Sequence, residues 1–173
     1  MSANWIKEQP SNRNFLNPIG FLLKLEKFDG VDFFCQSANV PDVTMPTTEV
    51  ASPFRNLPII PGGGVTFGDF VVRFIVDEDL VNYNAIYKWI RDNGNADEMA
   101  RSTPEADIYT NGQLHIVTSA YNPAFVIDFV DLFPVSLSNL QFDATISDVE
   151  YLTAEVTFKH QQFSIRDKNM KRL

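Results

Sequence analysis

The strongest constraint on the fold is a recurring alternation of apolar and polar side chains. It is clearest in Val65–Asp77, where one set of alternate positions is apolar and the other is mixed. A period of two is typical of a β-strand, and a strand with apolar residues on both sides has neighbours on both. Shorter alternations predict about six strands in all; the others begin near Ile19, Val31, Gln113, Phe125 and Tyr151.

A single helix is predicted between the third and fourth strands. The acidic run 77–79 supplies an N-cap and favourable charge at the positive end of the helix dipole, and Asn93-Gly94 supplies a stop. We therefore expect a helix over residues 79–93. Its predicted apolar face repeats at helical spacing, through Leu80, Tyr83, Tyr87 and Ile90, with Trp89 beside it.

These elements predict a mainly β (α+β) fold, an antiparallel β-sandwich or partly open barrel. Asp29-Gly30 predicts a hairpin that joins the first two strands. In the last strand, the apolar positions change from even to odd numbers between Phe158 and Phe163. A slip of one residue near 160–162 therefore predicts a β-bulge.

The segment Asn39–Gly64 carries five prolines and ends in three consecutive glycines, so it cannot be a helix or a central strand. It nevertheless contains apolar residues, among them Phe54 and Leu57. A long loop with apolar side chains is uncommon in a compact domain unless it has a function. We interpret 39–64 as an arm that packs on another subunit; the alternative is a loop folded over its own core.

Length and charge define the rest of the organisation. The 173 residues suit one domain, 15–165, preceded by a polar flexible arm over 1–14 and followed by a basic tail over 166–173. Net charge is −8, and no Lys or Arg occurs from Ser102 to Phe158. An acidic body does not bind nucleic acid by neutralising phosphates. The basic tail either contacts an acidic neighbour or is a solvated, frayed terminus.

Residues that could carry chemistry are few, and we expect neither an enzyme nor a cofactor or metal site. Cys35 is the only cysteine and follows an apolar run, which indicates a buried thiol in a reducing compartment. His115 and His160 lie in predicted strands without a nucleophile motif nearby. No run is long and apolar enough for a transmembrane helix and no signal peptide is evident, so we expect no membrane contact.

Several short segments, in this order and spacing, resemble the tail tube family of contractile phages of the T4 type. The resemblance spans about residues 15–165 and includes the strand that contains Cys35 and a Thr-Phe-Gly-Asp-Phe strand before the helix. The segments are Asn17–Phe21, Phe33–Pro41, Phe54–Ile59, Gly64–Val72, Tyr87–Ile90, Leu132–Val135 and Val156–His160.

This resemblance implies a structural virion protein. Members form hexameric rings that stack into the hollow inner tube of a contractile tail, through which DNA passes without sequence-specific binding. Implied partners are other copies of the chain, the tail sheath, the tape-measure protein and baseplate proteins. The implied location is the virion tail, assembled in the host cytoplasm.

The resemblance also suggests site residues. The intersubunit contacts would come from the long segment, through Phe54, Arg55, Asn56, Leu57 and Ile59. An acidic lumen would let DNA slide without sticking, because it would not neutralise phosphates. The candidate lumen-facing acids are Asp128, Asp143 and Glu155.

Three alternatives stay open at the level of sequence. The chain could form the baseplate ring that initiates the tube, because the polar N-terminal arm and the basic tail differ from the compact ends expected of the repeating tube protein. It could belong to a tailocin or a secretion tube. A more distant alternative is a monomeric β-barrel binding module, which would need convergent polar groups inside the barrel.

Overall fold

The computed structural model of the chain describes residues 16, 18–27, 35–51, 53–94, 108–118, 122–145, 151–167 and 171–172, with the backbone alone at 50, 56–61 and 123. The predicted N-terminal arm, 1–14, lies outside these residues. The elements in chain order are β1 (Phe21–Leu25), β2 (Cys35–Ala38), β3 (Val43–Thr44), β4 (Thr47–Ala51), β5 (Asn56–Pro61), β6 (Thr66–Phe67), β7 (Phe70–Ile75), α1 (Val81–Gly94), β8 (Thr110–Val117), β9 (Pro123–Leu137), β10 (Thr153–Lys159) and β11 (Gln162–Asp167).

The fold is mainly β with one helix among the described residues, as the alternation predicted. Seven of the described strands form one antiparallel sheet in the order β1-β8-β9-β10-β7-β2, with β11 also paired to β9. The sheet is open rather than closed into a barrel, because β1 and β2 stand at opposite ends of this order. The order of the strands in the sheet therefore differs from their order along the chain.

In the described residues the first two strands do not pair with each other, and residues 28–34, where the predicted hairpin would turn, lie outside them. β1 pairs with β8, whereas β2 pairs with β7. Asp29-Gly30, the expected turn, lies outside the described residues. A turn signal is local, but pairing also depends on which distant strand offers a matching apolar face.

β9 organises the sheet because it is long enough to pair along two stretches. Its first part pairs with β8 on one side and β11 on the other, and its last part pairs with β10. Between these parts, Val130 and Asp131 together face the single β8 residue Asn111, and Asp131 has a φ of 55°. This extra residue is a β-bulge, which bends the strand where it changes partners.

The predicted interruption in the last strand falls where β10 ends and β11 begins, at His160 and Gln161. The bulge itself is elsewhere, because the register shift lies between Thr157 and Phe158 opposite β9. β10 and β11 both pair with the same strand, β9. The change of apolar parity thus indicated a break in the strand correctly, but not the position of the extra residue.

The core lies between the sheet and α1. Phe70, Val72 and Phe74 of β7 are fully buried, which confirms the inward face predicted for the strongest strand. The Phe70 and Phe129 rings stack with centroids 4.3 Å apart. The remaining core residues come from several strands and the helix: Leu23, Leu25, Ile86, Trp89, Leu114, Ile127, Leu132, Ala154, Val156 and Phe158.

α1 begins at Val81 and ends at Gly94, against a prediction of 79–93. The acidic run does cap the helix, although from a position before the N-cap residue: the carboxylate of Asp77 accepts hydrogen bonds from the backbone N–H groups of Val81 at 2.7 Å and Asn82 at 3.3 Å. The predicted apolar face is wrong in part. The buried side chains are Asn82, Ile86 and Trp89, whereas Leu80 and Tyr87 are 40% and 49% exposed.

The segment predicted as a long loop contains strands, although none of them joins the main sheet. β4 pairs with β5, and β3 pairs with β6, as two separate antiparallel ladders. Pro58 and Pro61 lie in β5. They are tolerated because each strand of a two-stranded ladder has a free edge, where a missing N–H breaks no hydrogen bond.

Candidate assembly surfaces

The tip of the β4–β5 hairpin projects the most exposed large apolar side chain that the structure describes. Phe54 is 98% exposed, and Arg55 beside it is also exposed. Asn56, Leu57 and Ile59, the other predicted contacts, lie in β5, and their side chains are outside what the structure describes. A fully exposed phenylalanine at a hairpin tip is typical of a side chain that a partner covers.

Exposed apolar residues also follow the rest of this segment. Val43 and Met45 are each 54% exposed, and Val65 at its end is 53% exposed. Scattered apolar residues are normal on a surface, but a row of them along a projecting arm favours an interface. Phe54 is exposed, but the other apolar side chains that the alternative would bury, at positions 50, 57, 59 and 60, lie outside what the structure describes.

A groove runs along the outer side of α1. It has a volume of about 430 Å³ and is lined by Asp79, Leu80, Tyr83, Asn84 and Tyr87. The Tyr83 hydroxyl donates a hydrogen bond to the Ser138 carbonyl oxygen at 3.0 Å, which fixes this wall of the groove. This surface was not predicted from the sequence, because the helical spacing placed Leu80 and Tyr87 on the predicted apolar face. The sequence does contain a second apolar stripe, through Ile86 and Trp89, and this stripe is the one that the structure buries.

Asp128, the first candidate lumen acid, is buried and paired. Its carboxylate Oδ2 lies 2.8 Å from Arg166 Nε, and its Oδ1 accepts a hydrogen bond from Gln113 Nε2 at 2.9 Å. It stands in a row across four strands, Lys24–Gln113–Asp128–Ser164. With Lys24 and Arg166 on the same face of the sheet, Asp128 does not make this face acidic.

The other two candidate acids are exposed. Glu155 on β10 faces Arg73 on β7, and the two side chains form an ion pair with Arg73 Nη2 3.3 Å from Glu155 Oε2. Asp143 lies in a turn after β9, where its Oδ1 accepts hydrogen bonds from the backbone N–H and the hydroxyl of Thr145. These bonds lower the pKa of the Asp143 carboxyl, which keeps it charged. The structure does not bring the three acids together.

The described part of the basic tail is ordered against β11. Arg172 forms an isolated antiparallel bridge with Arg166, and the Asp167 N–H donates to the Lys171 carbonyl oxygen at 2.9 Å. Lys171 and Arg172 therefore contact β11 through the backbone, while both residues are exposed to solvent. The backbone hydrogen bond holds them there although like charges placed opposite each other repel.

His160 packs in an aromatic cage. Its ring centroid lies 5.3 to 5.8 Å from those of Phe67, Phe129 and Phe163. Both ring nitrogens are buried and make no hydrogen bond within the described chain. Burial lowers the pKa of His160, because a charged imidazolium would lose its hydration. The ring therefore acts as an apolar filler between strands.

No arrangement for catalysis is evident in the described residues. The Nε2 atom of His115 lies 3.2 Å from Gln113 Oε1. Cys35 is half-buried against the core, and its thiol donates weakly to the Ser37 carbonyl oxygen. Within the ranges that the structure describes, no group of three or more metal-ligating side chains occurs. None of the helices described there is long and apolar enough to cross a membrane.

The chain is similar to proteins of contractile tails and injection assemblies. The tail tube terminator protein of Enterobacteria phage T4 is 28% identical over 165 residues, covering 88% of this chain and 89% of the T4 protein. The fold matches that of a chain in the tube-terminating cap of the anti-feeding prophage, with a TM-score of 0.65, 18% identity and coverage of 96% and 99%. A chain of the baseplate of that prophage matches with a TM-score of 0.64, 13% identity and coverage of 91% and 98%.

A family model described as phage tail tube protein matches residues 8–166, which is most of the chain. The family is structural rather than enzymatic, and its relatives are components of contractile tail and injection assemblies. This extent of match, together with the open antiparallel sheet and the helix α1, confirms the resemblance seen in the sequence. The chain belongs to the phage tail tube protein family.

Proposed function

We propose that this chain forms a ring that terminates the tail tube of a contractile phage. The observation that carries the proposal is the 28% identity, over nearly nine tenths of both chains, to a T4 protein that is itself a tail tube terminator. The likeness to the cap of the anti-feeding prophage supports the same end of the assembly at the level of fold. The ring would belong to the virion tail and be assembled in the host cytoplasm.

A ring suits the open sheet. β1 and β2 end the strand order, and the arm and the α1 groove expose apolar side chains outside the core. Symmetric closure covers such surfaces without leaving edges that aggregate. We propose six copies per ring, by analogy with the anti-feeding prophage baseplate, whose structure was 6-fold symmetrised.

The proposed ring would surround the DNA path without binding a particular sequence. Its neighbours would be tube, sheath and tape-measure proteins. Among the candidate lumen acids, Asp143 is the best suited to repel phosphates, because it is exposed and its hydrogen bonds favour the charged form. Glu155 is less suited to repel phosphates because Arg73 pairs with its charge. Asp128 is also less suited, because Arg166 pairs with its carboxylate.

Two neighbouring functions share this fold. The likeness to a baseplate chain favours a ring at the other end of the tube, which initiates it. The repeating subunit of the tube, stacked in many rings, is the third possibility within the family.

Negative-stain electron microscopy at rising protein concentration tests these proposals. Single rings that do not stack are expected for a terminator, whereas long hollow tubes would identify the repeating subunit. Immunogold labelling of intact tails then separates the two ends, since a terminator is expected at the head-proximal end and an initiator at the baseplate. Monomers at every concentration would contradict ring formation by the chain alone.

A further inference from the structure

The α1 groove is an apolar surface that the chain's own core does not use. The helix buries one stripe, through Ile86 and Trp89, whereas Tyr87 on another side of it and Leu80 just before it are about half exposed. The hydrogen bond from Tyr83 to Ser138 holds the groove in shape before any partner arrives. A preformed pocket lined by tyrosine and leucine is suited to receive a single aromatic anchor.

The β4–β5 hairpin carries such an anchor. Phe54 is 98% exposed at its tip, so its own chain leaves it uncovered. The hairpin pairs only within itself in the described sheets, and it therefore projects as a separate two-stranded unit. With strands of five and six residues, it can extend roughly 15–20 Å.

The charges beside the two surfaces are opposite. Arg55 follows Phe54 at the tip, whereas Asp79 lines the groove and Glu78 precedes it, both exposed. Opposite charges at the rim of an apolar contact fix its orientation and speed association. The tip and the groove are also different surfaces of one chain, so a contact between copies would be head-to-tail, which is the kind that closes a ring.

We propose that the tip of the β4–β5 hairpin of one copy, anchored by Phe54, binds the α1 groove of a neighbouring copy. This inference rests on the proposed ring and specifies which surface of the neighbour receives the arm. Phe54 would contact Leu80, Tyr83 and Tyr87, with Arg55 close to Asp79.

A cysteine trap tests the contact in the full chain. In a Cys35→Ser background, one preparation carries Phe54→Cys and another carries Asn84→Cys, which lies in the groove. Mild oxidation of the mixture is expected to give a disulfide-linked dimer of the two variants. The matched control replaces Phe54→Cys by Phe142→Cys, because Phe142 is also well exposed, at 77%, but lies after β9.

Equal yields from the two mixtures would overturn the proposal. A chain carrying both Phe54→Cys and Asn84→Cys provides a second check at high dilution. An intrachain disulfide as the main product there would mean that the hairpin folds onto its own groove, which also contradicts the proposal.

Association measurements give an independent readout. Phe54→Ala and Tyr87→Ala are each expected to weaken self-association about tenfold or more, as truncation of an interface anchor does. The double variant is expected to lose little beyond the single variants, because both remove the same contact. Phe142→Ala is expected to leave association unchanged.

The failures of the two proposals are distinguishable. If the wild-type chain forms rings but the trap and the Phe54 variant have no effect, the inference is wrong and the proposed function stands. If the wild-type chain forms no rings and the mixed cysteine variants give no cross-linked dimer, both are wrong.

Discussion

Arg166 Nε lies 2.8 Å from Asp128 Oδ2, and this ion pair joins β11 to β9 across one face of the main sheet. The Asp128 side chain is only 9% exposed, whereas that of Arg166 is 34% exposed. The carboxylate is therefore the member that depends on its partner, because a buried charge is costly when it is unpaired.

Replacing the arginine should reveal this dependence. Arg166→Met is expected to lower the free energy of unfolding by about 2–3 kcal/mol, because it leaves the Asp128 carboxylate with Gln113 as its remaining polar contact. Urea denaturation followed by circular dichroism measures the change. Arg73→Met serves as the control, since both side chains of its ion pair are about half exposed. Equal losses in the two variants would show that burial does not govern the pair.

Glu155→Gln should have little effect on folding. Its ion pair with Arg73 is exposed to solvent, and such pairs contribute at most about 1 kcal/mol. We expect the free energy of unfolding to fall by less than that amount in the same urea assay. A larger loss would indicate that the pair is more shielded from water than its exposure implies.

The cap of α1 provides a third test. Asp77→Ala removes the acceptor for the Val81 and Asn82 N–H groups and is expected to cost about 1 kcal/mol of unfolding free energy. Asp79→Ala, an exposed position two residues later, is the control and is expected to change stability by less than about 0.5 kcal/mol. Thermal and urea unfolding should both show a larger loss of stability for Asp77→Ala than for Asp79→Ala. The opposite ranking would contradict the assignment of Asp77 as the cap.

The buried imidazole of His160 should make stability depend on pH. Burial lowers its pKa in the folded chain, whereas the unfolded chain takes up the proton near the ordinary value of 6.5. Stability is therefore expected to fall as pH decreases below about 6.5, down to the lowered pKa of the folded state. Asp69 and Lys159 form an ion pair beside the cage. The negative charge of Asp69 raises the pKa of His160, and the positive charge of Lys159 lowers it.

The variant His160→Phe isolates this contribution. A phenyl ring fits the cage of Phe67, Phe129 and Phe163 and cannot titrate. Between pH 7.5 and pH 5.5, the wild-type chain is expected to lose more unfolding free energy than the variant. The pKa of His115 is also lowered, mainly by burial, but this residue is present in both chains, so its contribution cancels. Identical losses would contradict the assignment to His160.

The sequence by itself determined the mainly β character of the fold, the face of its strongest strand, the position of α1 to within two residues, and the family. Phe70, Val72 and Phe74 alternate along a strand, and the period of the backbone alone assigns them to one face. Asp77 likewise marked the start of α1, because capping involves residues close in the chain. The order of the short segments was enough to indicate the tail tube family.

Only the tertiary structure decided which strands pair and which side chains are covered. β1 pairs with β8 and β2 with β7, contacts between distant residues that no local turn signal encodes. The exposure of Tyr87 and the burial of Asp128 likewise depend on which distant parts of the chain pack beside them. Local periodicity places a side chain on a face, but burial depends on what the rest of the chain packs against that face.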